Sequence, residues 1–440
     1  MPARYINQEL ARTLAANYGS PIYVYSEKEL KQNAENMLNI QAPFGRTIRF
    51  AMKANPNRSI LRLFHGMGIQ IDASSGFEAQ RAMLAGIPGN HILLTAQELP
   101  HNLADLVKAG VLYNACSLNQ LRQYGELFPG TEITVRINPG QGNGFHSYTN
   151  VGGPDASFGI WHEDIEKVHA ICETFNLTVT RLHTHIGSGT DPEVWKQVAQ
   201  TSVDLLNHFP AATTLNLGGG FKVARMDYEK STNPEEVGER IQEVISQFHQ
   251  ETGREIHIEL EPGTYLTANA GSLLSRIQDI SSSGTSGRTF YKLDCGMSEL
   301  LRPAFYGAQH PITVYPEENR DTQAVVVVGH SCESADIITT KKGDGESIEA
   351  RELPIADIGD LVIIDGAGAY CSSMNAKNYN SFPEAAEVLI GIDGSTRLIR
   401  RRQNMEQMLM NEVESEETPA LSNCENCGSV AWLTKNPSKA

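Results

Sequence analysis

The chain reads as a (β/α)8 barrel, TIM-like, followed by a C-terminal antiparallel β domain. Two observations carry this. Eight strand-like segments alternate with amphipathic ones as far as about Gly271, and beyond it strand signals continue without helices. An open doubly wound sheet is the structural rival, but it would not need eight consecutive units. The 440 residues, 40% hydrophobic, suffice for one large core and a smaller second one. With 36 basic and 52 acidic residues the formal charge is −16, which argues against nucleic acid or an anionic membrane as partner. No apolar run reaches the ~18 residues of a membrane span. The N-terminus, Met1-Pro2-Ala3-Arg4-Tyr5, lacks the apolar core of a signal peptide. Seven scattered cysteines in so long a chain predict a reducing, cytoplasmic setting rather than a disulfide framework.

Taken in order, a helix is expected near residues 7–17, a strand over 21–25, and a helix from Ser26, a good N-cap, to about Asn39. Barrel strands are expected at 47–54, 69–75, 91–96, 113–117, 133–138, 179–186, 214–217 and 256–260. Helices fill the gaps at 59–66, 77–85, 100–109, 118–127, 162–175, 192–209 and 234–250. Pro100 opening one of them and Gly110 closing it follows the N-terminal Pro, C-terminal Gly asymmetry. One connection is long. Pro139-Gly140-Gln141-Gly142-Asn143-Gly144 starts a glycine-rich polar run to Gly159, of the kind used as lids or binding loops. Strands of the β domain are expected at 271–280, 289–294, 323–328, 361–365 and 386–392. The expected organisation is an N-terminal segment, 1–25, joining the β domain, then a barrel over 26–270, the β domain over 271–413 and a mobile tail over 414–440. The tail holds Cys424-Glu425-Asn426-Cys427, half a metal site at most; nothing nearby completes it, and no metal is expected.

Chemistry gathers at four predicted strand ends, which share one face in a barrel. Phe50-Ala51-Met52-Lys53-Ala54-Asn55-Pro56-Asn57 places a lysine among apolar neighbours at the end of the first strand. Desolvation there would lower the amine's pKa and make it a nucleophile toward carbonyls. Alone, a snorkelling strand-end lysine is the simpler account. His183-Thr184-His185-Ile186-Gly187-Ser188-Gly189 ends strand six, Gly218-Gly219-Gly220 strand seven and Glu261-Pro262-Gly263 strand eight. Each has an ordinary explanation: a core histidine, a tight turn, a capped strand exit. Their joint placement does not. Glycine loops after the last two strands are a barrel's usual phosphate site, because bare N–H groups approach oxygen closely. An imine-forming lysine, a carboxylate and a phosphate loop together describe a site for pyridoxal 5'-phosphate. Lys53 would take the aldehyde, Glu261 would keep the pyridine nitrogen protonated, and His185 would stack on the ring.

At these residues the chain resembles the fold-type III pyridoxal-phosphate decarboxylases, which share the alanine racemase architecture, and within them the diaminopimelate branch. The resemblance runs from about Tyr23 to Met408 through FAMKANPN, HTHIGSG, NLGGGF, EPG, LDCGMSELLRPAFYGAQHP, CES and NYNSFPEAAEVL. The loop RINPGQGNGF…TNVGG…FGIW and the ending RLIRRRQ are also similar. The resemblance implies an obligate homodimer, each active site lying between one barrel and the partner's β domain. It implies that Lys53 is the Schiff-base lysine, with Ser188, Gly218, Gly219, Gly220, Gly263 and Thr264 around the phosphate. It implies that Cys332, the proton donor, and Glu333 come from the partner chain. Glu333 and Tyr379 would help hold substrate or cofactor. Arg302 and Tyr306 would hold the substrate's distal carboxylate, which a guanidinium meets with two parallel hydrogen bonds. The implied reaction removes the carboxylate at the D-centre of meso-2,6-diaminopimelate, giving L-lysine and carbon dioxide, the last step of lysine biosynthesis.

The chain departs from that pattern in places. The family's Glu-Pro-Gly-Arg is here Glu261-Pro262-Gly263-Thr264, and the missing arginine normally adds a second cation near the distal carboxylate. Substrate grip is the property this departure touches. Ser334-Ala335-Asp336 replaces Ser-Gly-Asp, and His330 stands where proline is common. Three rivals follow. A decarboxylase of ornithine, lysine or another basic amino acid would have no use for Arg302. An alanine racemase would not need Cys332 and Glu333. A non-catalytic paralogue that regulates a decarboxylase should have lost Lys53 or Cys332.

Overall fold

The structure, a computed structural model, describes residues 4–140, 152–185, 189–318 and 320–413. Eight parallel strands close into a barrel: Arg46–Ala51, Gln70–Ala73, Ile92–Leu94, Leu112–Ala115, Glu132–Asn138, Thr178–His183, Thr214–Asn216 and His257–Leu260. Closure comes from the eighth strand, which pairs with the first in the register Ile258↔Arg46 to Leu260↔Ile48. The strands are short runs buried on both faces over most of their length, as an all-parallel sheet wrapped by helices requires.

The helices begin where short polar side chains can cap them. Ser26, Asn57, Ser75, Ser117 and Asn233 each accept a hydrogen bond from a first-turn backbone N–H, a cap worth about 1 kcal/mol. Several boundaries differ from expectation: the first barrel strand, expected over 47–54, ends at Ala51, and the sixth, expected over 179–186, ends at His183. The fifth-expected helix, thought to open at Pro100, begins at Leu103. Pro100 closes only an isolated turn, its carbonyl accepting the Leu103 N–H, and Asn102 at φ −107° and ψ 24° lies off the helical path.

The long connection after the fifth strand is tied at both ends to Asn138. Its Oδ1 accepts the N–H groups of Gly140 (3.1 Å) and Gly153 (2.9 Å), and its amide donates to Gly153 O at 3.0 Å. Most of the glycine-rich loop falls in residues 141–151, outside the described residues, as do 414–440 with their Cys-x-x-Cys.

A second sheet is built around the long strand Gly271–Ser282. It pairs antiparallel with Ile22–Ser26, Thr289–Leu293 and Leu361–Asp365. Two pairings are parallel: Ile22–Ser26 with Ala386–Ile390, and Thr289–Leu293 with Thr322–Val328. Ile312–Tyr315, Arg351–Pro354 and Thr396–Arg400 also join it. The sequence reading passed over these three because they are short and only partly buried, so their alternation is faint. One continuous core runs from the barrel into this sheet, and a smaller one packs helix Gln8–Tyr18 on its far face through Leu14, Ile22, Val24 and Ile363. Residues from 403 form a separate unit, in which Asn404 and Gln407 make a capping box for helix Met405–Leu409.

Candidate active site

The first barrel strand stops at Ala51, whose N–H donates to Pro262 O at 3.2 Å, and a single 3-10 turn, Met52–Ala54, follows. The second sheet clamps that turn. Tyr370 N–H (2.9 Å) and the Ser373 hydroxyl (3.1 Å) both donate to Ala54 O, and the Asn55 amide donates to Gly368 O at 3.1 Å. Met52 and Ala54 are buried, so the turn directs Lys53 into the barrel mouth. The lysine is exposed by area yet ringed by protein, and its charge responds to both conditions. Burial pulls its pKa down, but Tyr370, Asp72 and Glu261 together outweigh burial and raise it. The expected fall is thereby overturned. The sequence reading weighed the lysine's apolar neighbours along the chain, not the anions that strands two and eight bring beside it.

Glu261, just past the eighth strand, is 5% exposed. His183 Nε2 lies 3.2 Å from its Oε2, and the Asn216 amide donates to Oε1 at 2.7 Å. Burial alone would raise this carboxyl. The charge and hydrogen bond of His183, with His185 and Asn216, hold it down to about 2, so it is ionised at neutral pH. Asn216 also accepts the Gly218 N–H at 2.8 Å, which sets the exit of the seventh strand. His185 is neutral for the converse reason: burial first, then the charges of Arg136 and Lys53, put its pKa well below the usual histidine value.

The glycines are required by their neighbours. Gly218 has φ +72°, and a Cβ there would stand 2.7 Å from His185 Cγ. A Cβ on Gly219 would meet Glu261 O at 2.4 Å, and one on Gly263 would meet the Tyr370 hydroxyl at 3.2 Å. Gly220 also has positive φ. Thr264 opens the short turn Thr264–Thr267 after Gly263. Ser188 lies outside the described residues. Lys53, His185, Glu261, Gly218, Gly219 and Gly263 are thus brought to one end of the barrel.

Other predicted residues lie elsewhere on the same chain. The Arg302 guanidinium sits 5.8 Å from the Tyr306 ring centre, and the Tyr306 hydroxyl is 3.9 Å from Met374 Sδ. Cys332 and Glu333 are exposed. Cys332 N–H donates to Asn380 Oδ1 at 2.8 Å, and the Tyr379 hydroxyl donates to Glu333 Oε2 at 3.2 Å. Asp336 steadies this loop by accepting Ser331 N–H (2.9 Å) and ties it to the segment after Thr289–Leu293 by accepting Met297 N–H (2.7 Å). His330 stacks on Phe382 with centroids 3.5 Å apart and meets the Ser298 hydroxyl at 2.7 Å. No described hydrogen bond or ion pair joins the loop to Lys53, His185 or Glu261.

Several residues that shape the mouth were not singled out from sequence. Asp72 is a buried carboxyl whose pKa burial raises well above normal, with Glu261 adding to the rise and Lys53 opposing it. A lone aspartate inside the buried run Gln70–Ala73 was an available signal. His183 and Asn216 act on Glu261. Tyr370, at φ +55°, turns its hydroxyl toward Gly263. Its role becomes visible only once Gly366 to Tyr370 are folded against Ala54.

Residues 28–268 match the pyridoxal binding domain of the pyridoxal-dependent decarboxylases. The diaminopimelate decarboxylase of Escherichia coli strain K12 is 33% identical, over 91% of this chain and 95% of that protein. That of Streptomyces coelicolor is 34% identical, over 93% and 92%. The chain belongs to the diaminopimelate decarboxylase family. A crystal structure of a diaminopimelate decarboxylase matches this fold with TM-score 0.85 at 32% identity, covering 92% of this chain and 96% of the other. The Helicobacter pylori diaminopimelate decarboxylase complexed with L-lysine matches with TM-score 0.81 at 26% identity, covering 91% and 98%.

Membership of the family brings pyridoxal phosphate as cofactor, and the mouth fits it. An amine stands ready for an aldehyde, a permanently ionised carboxylate for a pyridinium, and a neutral imidazole for a ring face. Backbone is bare at Gly218 and Gly219, where a Cβ would collide, and at Gly263, where one would be cramped. His183 Nδ1 is buried without a hydrogen-bond partner in the protein. Among the described residues no helix is long and apolar enough to cross a membrane.

Proposed function

We propose that the chain decarboxylates meso-2,6-diaminopimelate at its D-centre, releasing carbon dioxide and L-lysine, and that the working form is a cytoplasmic homodimer. One observation carries the reading: Lys53, a neutral His185 and an ionised Glu261 converge at one barrel end. Pyridoxal phosphate, when bound, supplies the electron sink for the pair left behind as carbon dioxide departs. Lys53 Nζ would hold its aldehyde carbon, Glu261 would keep a proton on its ring nitrogen, and His185 would lie against its face. Gly218 to Gly220, Gly263 and Thr264 would surround its phosphate, a role that the family resemblance gives Ser188 as well.

Arg302 and Tyr306 hold the substrate's distal carboxylate, so that the scissile carboxylate is the one at the D-centre. Cys332 Sγ gives its proton to the carbon that has lost carbon dioxide, and Glu333 with Tyr379 positions the substrate amine. On one chain that trio is exposed, with no described bond to Lys53, His185 or Glu261. A second copy that lays the Cys332 loop over the barrel mouth supplies what is missing. The five described cysteines are all free thiols, which suits a reducing compartment.

The test is turnover by cofactor-loaded protein of meso-diaminopimelate and, separately, of L-ornithine and L-lysine. Carbon dioxide and L-lysine from diaminopimelate alone are the expected products. Release from ornithine or lysine instead, or no turnover at all, overturns the reading.

A further inference from the structure

Thr264 leaves the distal-carboxylate subsite one cation short of the family pattern, yet an arginine stands elsewhere with the required properties. Arg225 lies in the loop that leaves the glycine run of the seventh strand. It is 9% exposed, and its methylenes pack on Gly366, where a Cβ would stand 2.9 Å from Arg225 Cδ. Nε donates to Gly366 O at 3.0 Å, which fixes the plane of the guanidinium, while Nη2 is buried without a partner. Glu229, four residues on, is already committed to backbone, accepting the N–H groups of Arg225 (2.7 Å) and Met226 (3.0 Å).

Arg302 is half-buried, and it too has a vacant donor. Its Nε is buried and unpartnered, and neither arginine has an ion pair with a carboxylate among the described residues. His310 closes one side of the cluster. Its Nδ1 donates to Asp365 O at 2.9 Å, one residue before the carbonyl that Arg225 uses, and burial with Arg225 and Arg302 keeps it neutral. Arg225 feels the Arg302 guanidinium: it is brought down to about 9, by burial first and by Arg302 next. Cys371, beside Tyr370, feels both cations, so the cluster adjoins the segment that clamps the Lys53 turn.

A buried cation beside a half-buried one, each with a buried donor left vacant and neither paired to a carboxylate, is a costly arrangement unless a ligand completes it. We propose that Arg225 and Arg302 together form the subsite for the distal carboxylate of the substrate, Arg225 supplying the guanidinium that position 264 lacks. The assignment rests on the reading of the chain as a decarboxylase of a dicarboxylic amino acid. It makes Arg225 a specificity residue, because a site with two vacant cationic forks disfavours substrates that leave them unpaired.

The test compares wild-type holoenzyme with Arg225→Met and Arg225→Lys, using meso-diaminopimelate as substrate and pimelate as a competing dicarboxylate. A charge-assisted pair removed from a buried site predicts KM and the pimelate inhibition constant each raised roughly 10- to 100-fold in Arg225→Met. kcat should fall no more than about threefold, the bound-cofactor absorbance should hold, and Arg225→Lys should give an intermediate KM. Unchanged KM and pimelate inhibition overturn the assignment. So does a loss in which melting temperature, cofactor absorbance and kcat fall together with no change in pimelate inhibition, since that marks a bolt for Gly366. If Arg225→Met does not fold, Arg225→Lys decides by the same two constants. Failure of the wild-type enzyme to turn over diaminopimelate is a different result and removes the functional reading itself.

Discussion

Gly218→Ala isolates the contact between the glycine run and His185. Two costs follow from the geometry. At φ +72° an L-residue occupies the left-handed region, which costs about 1–2 kcal/mol. The new Cβ would lie 2.7 Å from His185 Cγ and 2.9 Å from its Cβ, where ordinary contacts begin at 3.4 Å, so the ring must retreat by about 0.7 Å (3.4 − 2.7). Displacements of ~1 Å at a reacting centre cost about 100-fold in rate. The expected result is a folded enzyme, about 1–2 kcal/mol less stable in urea, with kcat/KM for diaminopimelate down roughly 30- to 100-fold. Gly253→Ala is the control. Gly253 has φ +73° with nothing within 4 Å of its Cβ position, so it carries the same backbone cost and no displaced ring. Steady-state kinetics and urea midpoints on the two variants separate strain from contact. If Gly218→Ala keeps kcat/KM within threefold of wild type, the packing of His185 on Gly218 does not matter to the site. If Gly253→Ala loses activity equally, the loss is not local.

Other consequences are open to measurement. Glu259, paired to Arg49 at 2.8 Å with both side chains 2% exposed and to Arg181 at 3.3 Å, anchors the barrel interior. Glu259→Ala should cost about 3–5 kcal/mol in urea unfolding by stranding Arg49, and a loss under 1 kcal/mol would refute the pair's structural weight. Glu299 is raised to about 7, chiefly by burial. A raised carboxyl stabilises the fold below its unfolded pKa, near 4.5, and that contribution is lost as pH climbs through about 7. Glu299→Gln should therefore flatten the stability profile, gaining about 1–3 kcal/mol on wild type between pH 5 and pH 8; an equal difference at both pH values contradicts the account. Mixing inactive Lys53→Ala with inactive Cys332→Ala under subunit exchange should restore about a quarter of wild-type activity, because one site of each mixed dimer is whole. No restoration, despite mixed dimers by native mass spectrometry, would mean that the sites are not shared.

The two layers of this molecule were unequally legible in the chain. Alternation of apolar strands with capped helices is a local property, so the eight-strand barrel could be read directly, with errors at element ends such as Pro100 and in the faint strands Ile312–Tyr315, Arg351–Pro354 and Thr396–Arg400 of the second sheet. Lys53, His185, Glu261 and the glycine run could also be located, because strand ends in a barrel share a face whatever their distance in sequence. What that reading could not supply was charge. The direction of the lysine's pKa depends on Asp72 and Glu261, and the ionisation of Glu261 on His183 and Asn216, groups on four different strands or strand exits. Tyr370 and Arg225 are a further step removed, since each becomes meaningful only where a loop of the second sheet, Gly366 to Tyr370, lies against the barrel. Sequence alone determined the barrel and the residues at its mouth, because periodicity and turn chemistry act within a few residues. Only the tertiary structure decided their protonation and the company of the arginines, because electrostatic energies depend on distance and burial across segments the chain keeps hundreds of residues apart.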